Sequence, residues 1–297
     1  MNKLSGMFAF VKTAELGSFV AAGRTLAISA SAVGKGVARL EQEVGVRLFQ
    51  RSTRRLQLTT EGQLFYERCR RILDDLDDAQ AMLSLSQEAP RGRLRVSAPI
   101  VAHHFLMPLL PDFLARHPEV ELDINFTDRA VDLIDEGIDV ALRSGDLRDS
   151  RLVSRPLQKF RLLLCAAPAY LTRHGIPGVL SDLERHACVR FRHPDSGKLL
   201  DWPWHEGMVV TEPRLRTVLA CNHIEGVLGA TLRGLGIACM PDFLVRDALA
   251  GGRLVSVLEP FLEPGRQFRA LWASSRHLSP KVRLFVDHLG AGLSGSS

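Results

Sequence analysis

Residues 17–49 read GSFVAAGRTLAISASAVGKGVARLEQEVGVRLF, and this stretch decides the fold of the N-terminal quarter. Gly17 suits the end of a preceding helix, in which Met7, Phe8, Phe10, Val11 and Ala14 follow a helical period. Ser18 is a good N-cap for a second helix that buries Phe19, Ala22 and Leu26. Ser29 caps a third, where Val33, Val37, Leu40 and Val44 recur at spacings of 4, 3 and 4 and form one apolar stripe. Gly45 falls where a left-handed C-terminal cap is wanted. Only Ala27 and Ile28 separate the second and third helices, so the pair must turn sharply. Two short helices with a tight turn are the helix-turn-helix arrangement.

The outward face of the third helix carries Ser29, Ala30, Ser31, Lys35 and Arg39. Small residues at its start allow close entry into a major groove, where Lys35 and Arg39 can reach base edges or phosphates. A plain three-helix packing unit with a solvated face would look the same up to this point. The following segment separates the two readings. Arg51, Arg54 and Arg55 cluster around Ser52-Thr53, with Leu48-Phe49 and Leu56/Leu58 as strand-like flanks. That is a hairpin wing with an arginine tip, suited to phosphates or a minor groove. Charge agrees. Residues 1–71 hold 12 Lys+Arg against 5 Asp+Glu, residues 72–90 hold 5 acidic and no basic residue, and the remaining 207 are near balance. A basic head on an otherwise mild chain is the asymmetry expected of a polyanion-binding domain.

Thr60-Glu61-Gly62-Gln63 fits a capping box. Beyond it Phe65, Cys69, Ile72, Leu76, Ala79 and Leu83 repeat at spacings of 4, 3, 4, 3 and 4. That period suits a coiled-coil seam and a dimer, although packing of the seam on its own domain fits the pattern as well. Ala89-Pro90-Arg91-Gly92 reads as a hinge. After it the pattern alternates between strands and helices. Strands fall at Leu94–Ser97, Val120–Phe126 and Val140–Leu142, with helices around Phe105–Leu114 and Val131–Ile134. A second set runs from Leu162 through Val189–Phe191, a helix after Asn222, and Gly236–Met240. The chain returns to the first set at Ala270–Trp272 and closes with a helix over Ser279–Leu289. This series predicts parallel open sheets.

The ordered set Gly17-Ser18-Phe19, Ala21-Ala22…Leu26, Ser29…Ala32-Val33, Leu40-Glu41, Gly45–Phe49, Arg51 and Leu58–Gly62 resembles the LysR-type transcriptional regulators. Later stretches strengthen the match: Leu106–Pro111, Ala141–Gly145, Gly234–Ile237, Met240-Pro241-Asp242 and His277–Arg283. The resemblance covers nearly the whole chain, least at residues 192–220. It implies an all-α winged helix-turn-helix domain over residues 1–60 and a linker and dimerisation helix over 61–88. It implies next a two-lobed α/β effector-binding domain over 92–295, similar to type 2 periplasmic binding proteins. Lobe I then takes about 92–161 and 269–295, and lobe II about 162–268. The expected DNA-facing residues are Ser18, Ser29, Ala30, Ser31, Gly34, Lys35, Arg39, Arg51, Arg54 and Arg55. The family usually has glutamine at the position of Ala30 and serine at that of Gly34. Base contacts are thus the part that transfers least.

Ligands of open α/β sheets sit beyond the carboxyl ends of strands, near helix N-termini. That points to Ser97, Pro99, Ile100, Thr127, Arg143, Asn222 and Met240, and Arg143 suits a small carboxylate or aromatic anion. Local capping by Ser97 and Thr127, and a structural ion pair for Arg143, are the plain alternatives. The implied partners are double-stranded promoter or operator DNA, a small effector, further copies of the chain as dimer or tetramer, and RNA polymerase. No cofactor and no metal is expected; His103-His104 are adjacent, and on an ideal helix neighbours point about 100° apart. None of the serine-hydrolase, P-loop, zinc-protease or dinucleotide motifs occurs, so an enzyme is not expected. No run of about 18 apolar residues and no export pattern at Met1–Gly6 argue for a cytoplasmic protein away from membranes. A solute-binding protein would explain the lobes but not the basic head. A thiol redox sensor would need Cys188 and Cys221 to approach each other.

Overall fold

A computed structural model describes residues 3–51, 56–83, 90–145, 151–205, 213–274 and 279–294. The chain divides into two units, Met1–Glu88 and Ala89–Ser297.

In the first unit α1 (Lys3–Leu16), α2 (Phe19–Thr25) and α3 (Ala30–Val44) precede a hairpin of β1 (Phe49–Arg51) and β2 (Leu56–Leu58), and α4 (Thr60–Leu83) follows. The caps form as the sequence predicts. Ser18 Oγ accepts from Ala21 N at 3.3 Å and Ser29 Oγ from Ala32 N at 3.1 Å, each satisfying an orphan helix donor. Gly45 closes α3 in the left-handed region at φ 76°. The tight turn has a cost that the sequence hides: Ala27 sits at φ 54°, a region disfavoured for residues with a Cβ. The core of the head is aromatic. Phe10 and Phe49 meet edge-to-face with ring centroids 5.3 Å apart, and Phe65 of α4 joins them 5.6 Å from Phe10.

Two sequence expectations need correction here. The α4 cap is Thr59 rather than Thr60: Thr59 Oγ1 accepts from Gly62 N at 2.8 Å, while its hydroxyl donates to Arg47 O at 2.7 Å. Among the described residues the apolar positions of α4 also do not form one outward seam; the side chains of Ala79 and Leu83 lie outside the described residues. Cys69 and Leu73 are buried in the head's own core, with Phe65 and Tyr66 packed on it, whereas Leu64 and Ile72 are exposed. The helix therefore carries two apolar faces. The inner one is further held by Arg70 Nη1, 2.5 Å from Glu15 Oε1 of α1 and 3.0 Å from the Tyr66 hydroxyl.

Among the described residues the second unit holds two five-stranded sheets. The first uses β3 (Gly92–Ala98), β4 (Val120–Phe126), β5 (Val140–Ser144), β6 (Leu152–Phe160) and β12 (Arg266–Ala273), in the order β4-β3-β5-β12-β6. The second uses β7 (Leu162–Ala166), β8 (Ala187–Phe191), β9 (Arg216–Cys221), β10 (Ile237–Pro241) and β11 (Val255–Val257), in the order β11-β7-β10-β8-β9. Strands β3, β4 and β5 are mutually parallel, as are β10, β8 and β9, while β12 and β7 run against their neighbours. Helices α5 (His103–Leu106), α6 (Leu110–Arg116) and α10 (Pro280–Ser294) accompany the first sheet, and α7 (Pro168–His174), α8 (Ile224–Leu232) and α9 (Asp242–Ala250) the second. The chain passes between sheets at Phe160–Leu162 and again between β11 and β12. Phe160 and Phe268 stack there with centroids 4.7 Å apart, and Phe105 and Phe243 pack on the same cluster.

The helix expected around Val131–Ile134 is instead a turn. Asp132 Oδ1 accepts from Ile134 N and Asp135 N, and Asp132 N donates to Glu136 Oε1. A short acidic side chain competes here with the helical ladder and wins. The helix expected over Phe105–Leu114 is broken into α5, a 3-10 turn over Met107–Leu109 and α6, with a proline near the start of each later piece.

Candidate DNA interface and effector cleft

The exposed face of α3 is set by its apolar stripe. Val33, Val37 and Leu40 are buried, so Ser31, Lys35 and Arg39 are turned to solvent, with Ala30 and Gly34 half-buried between. Lys35 makes no ion pair among the described residues. Arg39 Nε lies 3.1 Å from Glu43 Oε1, but both are well exposed, and such a pair is worth only ~0.3–0.5 kcal/mol. The guanidinium is therefore cheaply released to a phosphate or base. Ser29 spends one acceptor lone pair on its cap and keeps its O–H as a donor. Ser18 is half-buried and capped in the same way. Arg51 ends β1. Arg54 and Arg55 lie outside the described residues.

The hairpin is positioned by a residue not singled out as functional. Glu41 Oε1 accepts from both Leu48 N at 2.8 Å and Phe49 N at 3.1 Å. One carboxylate oxygen of α3 thus fixes where the wing begins. Its only sequence signal was its place in the Leu40-Glu41 pair.

In the second unit a cleft of about 200 Å³ lies where the two sheets' strand ends meet. Its apolar wall includes Phe160, Leu162, Phe191 and Phe268; its polar groups are Asp128, Ser144, His193 and Arg266. Of the residues expected at the site, Pro99 lines the cleft. Ser97 and Arg143 do not line it and are bonded to each other: Arg143 Nη2 donates to Ser97 Oγ at 2.9 Å and to Arg129 O at 3.3 Å, and Nη1 to Leu142 O at 2.8 Å. Burial lowers the pKa of Arg143, and the nearby Asp128 charge offsets part of that. Burial likewise raises Asp128, against the opposing pull of the Ile100 N–H, which donates to it at 3.0 Å, and of Arg143.

Thr127 is occupied locally, its Oγ1 accepting from Arg129 N. Asn222 is exposed and precedes the cap position of α8, which His223 holds. Met240 is fully buried on the opposite face of β10, against the cluster of Val227, Leu244 and Val245. Alternation along the strand turns Cys239 and Pro241 to the cleft instead. Sequence reasoning missed Asp128, one residue past Thr127, and His193, two past the end of β8. Both obey the strand-end rule, which pointed to Thr127 beside Asp128 but to no residue after β8.

The thiols do not form a redox pair. Cys188 pairs in register with Thr217 and Cys221 with Phe191, so the two cysteines are separated by roughly 10 Å along their strands. A disulfide needs Cα atoms within about 7 Å. Burial raises the pKa of Cys188 to about 11 and those of Cys165 and Cys239 to about 12, which keeps them as poorly reactive thiols. Among the described residues, no helix is long and apolar enough to cross a membrane.

Comparison with known proteins matches both units. Residues 4–63 match the family described as bacterial regulatory helix-turn-helix protein, lysR family, and residues 87–294 match the LysR substrate binding domain. The chain is similar to the HTH-type transcriptional regulator YhjC of Escherichia coli, at 35% identity over 97% of each sequence. It is also similar to the solved structure of CrgA, a LysR-type transcriptional regulator from Neisseria meningitidis. That likeness has a TM-score of 0.63 and 32% identity, covering 97% of this chain and 98% of that one. The full-length virulence activator AphB of Vibrio cholerae is similar with a TM-score of 0.57 and 28% identity, covering 96% and 98%.

Proposed function

The chain belongs to the LysR family of bacterial transcriptional regulators, and from that premise we propose which residues read DNA and which effector chemistry its cleft takes. It is a sequence-specific DNA-binding regulator with an effector-binding domain, not an enzyme. Regulators of this family bind DNA and small effectors and form oligomers.

DNA contact is assigned to Ser29, Ser31, Lys35 and Arg39 on α3, with Ser18 at the start of α2, Arg51, Arg54 and Arg55 on the wing, and Ala30 and Gly34 facing bases without a polar side chain. The exposure of Lys35 and Arg39 beside the small half-buried Ala30 and Gly34 supports this. The test is a salt titration of operator binding by fluorescence anisotropy. Arg54→Ala with Arg55→Ala should weaken binding on all sequences and shallow the log K against log [salt] slope by about 1 per lost phosphate contact. A wild-type slope in the double variant rejects the wing contact.

The effector is a small molecule with an apolar or aromatic body and one anionic group. The observation that carries this is a cleft lined by Phe160, Leu162, Phe191 and Phe268 together with His193 and Arg266, whose positive charge outweighs the single carboxylate among its described residues, Asp128, once His193 is protonated or where Arg266 alone meets the ligand. The volume is below the ~300–1,000 Å³ of drug-sized pockets, which favours a small metabolite. Thermal unfolding against paired carboxylates and their amides tests it. Carboxylates should raise the Tm, since a ligand at 100 times its Kd stabilises by about 2.7 kcal/mol. An equal response to the uncharged amides rejects the anion assignment. The expected compartment is the cytoplasm, where bacterial DNA lies, and RNA polymerase is the expected partner at the promoter.

A further inference from the structure

His103 and His104 open α5 beside the first sheet, and Glu225 lies in the first turn of α8 beside the second. One ligand atom from each of the three lies within 4.8 Å of the other two. Adjacent histidines on an ideal helix would diverge. Here α5 is a single turn that follows a 3-10 turn over Ile100–Ala102, and the two imidazoles lie side by side. Their centroids are 4.1 Å apart and their planes differ by 35°.

A backbone hydrogen bond prepares the His103 ring as a ligand. His103 Nδ1 is 2.7 Å from the Ile100 carbonyl oxygen. A carbonyl can only accept, so Nδ1 carries the proton and Nε2 keeps its lone pair. That backbone-oriented tautomer is the usual support of a metal-ligating histidine. His104 Nε2 lies 2.7 Å from Glu225 Oε1, with both side chains about one third exposed, so the group is open to solvent. We propose that His103, His104 and Glu225 hold a divalent transition ion of the Zn²⁺ class. Two imidazoles and one carboxylate match that ion's preference, and a fourth position stays open for water. On binding, the proton between His104 and Glu225 moves to His104 Nδ1 if the ring is neutral, and to solvent if it is charged. Ligands at ~2.0–2.2 Å from a tetrahedral ion stand roughly 3.4 Å from one another, so His104 and Glu225 must part slightly from their 2.7 Å contact while pairs farther apart close in, a side-chain adjustment.

The site ties one lobe to the other. Val101 and Ile224, each within two residues of a ligand, line the effector cleft. A bound ion therefore fixes the separation of the cleft's two walls and should couple to effector binding in both directions.

The test is titration of the full-length protein with ZnCl₂ by calorimetry, and with Co²⁺ by absorption spectroscopy. The expected result is one saturable site per chain, with Co²⁺ bands of a four-coordinate nitrogen–oxygen site. His104→Ala and Glu225→Ala should each weaken binding by about tenfold or more and abolish those bands. His117→Ala, outside the cluster, should change neither. Affinity should fall on acidification, because only neutral imidazole ligates. If His104→Ala melts below wild type, the near-isosteric His104→Gln replaces it as the deciding variant. Absence of saturable Zn²⁺ binding at micromolar metal overturns the proposal. So does a site that survives His103→Ala combined with His104→Ala, which would locate the ion on other ligands.

Discussion

Gly62 lies against the backbone of Leu48 so closely that a Cβ there would overlap the Leu48 carbonyl oxygen. That carbonyl also accepts from Thr59 N at 3.0 Å, so it cannot swing aside without breaking the link between hairpin and α4. Gly34 is the opposite case: a Cβ added there meets nothing within 4 Å. The same exchange should therefore have opposite signs. Gly62→Ala should destabilise the head by roughly 1–3 kcal/mol through overpacking, and Gly34→Ala should stabilise it by about 1 kcal/mol through helix propensity. Urea unfolding of both variants checks this. Equal shifts in one direction would mean that neither local environment governs the outcome. Gly34→Ala carries a second readout. The position sits on the proposed DNA face, so a loss of operator affinity in a more stable protein would mean that the missing Cβ serves close approach to a base.

At the scale of elements, the wing hangs on Glu41. Its one oxygen satisfies the N–H groups of Leu48 and Phe49 at the entry to β1. Glu41→Ala strands two donors and should cost roughly 1–3 kcal/mol, with Glu41→Gln milder because the amide oxygen still accepts. Denaturation gives the cost. Operator anisotropy should show weaker binding by Glu41→Ala and a shallower salt slope, since a displaced wing loses its phosphate contacts, with Glu41→Gln nearer to wild type in both. Elements like α3 were legible from sequence because cap, stripe and stop agree: Ser29, then Val33, Val37 and Leu40, then Gly45. The turn at Val131–Ile134 was not, because its apolar spacing imitates a helix while Asp132 captures the local N–H groups. The cleft was legible only to the ends of strands. Which residue beyond an end faces inward depends on loop path, so the sequence pointed to Thr127, which caps its own loop, and missed the cleft-lining Asp128. On β10 a one-residue error in parity exchanged the buried Met240 for Cys239 and Pro241.

For the whole molecule, the decisive surface is the second apolar face of α4. The first is spent within the chain, on Cys69, Leu73 and the ring cluster of Phe10, Phe49 and Phe65. Leu64 and Ile72 remain 63% and 50% exposed, eight residues apart on one side of the helix. Two large apolar side chains at that spacing are what a second helix would cover, and burial of each is worth about 1.5–3 kcal/mol. A symmetric pair buries both twice. We therefore expect Leu64→Asp with Ile72→Asp to shift the assembly toward smaller species in analytical ultracentrifugation, leaving the monomer's fold intact because neither residue belongs to the core. A single reading head cannot span a two-fold operator. The variant should thus bind a half-site as wild type does and lose the extra affinity for the complete site. If the double variant keeps its oligomeric state, assembly rests on another surface; if it also unfolds, the outer face of α4 is part of the head after all.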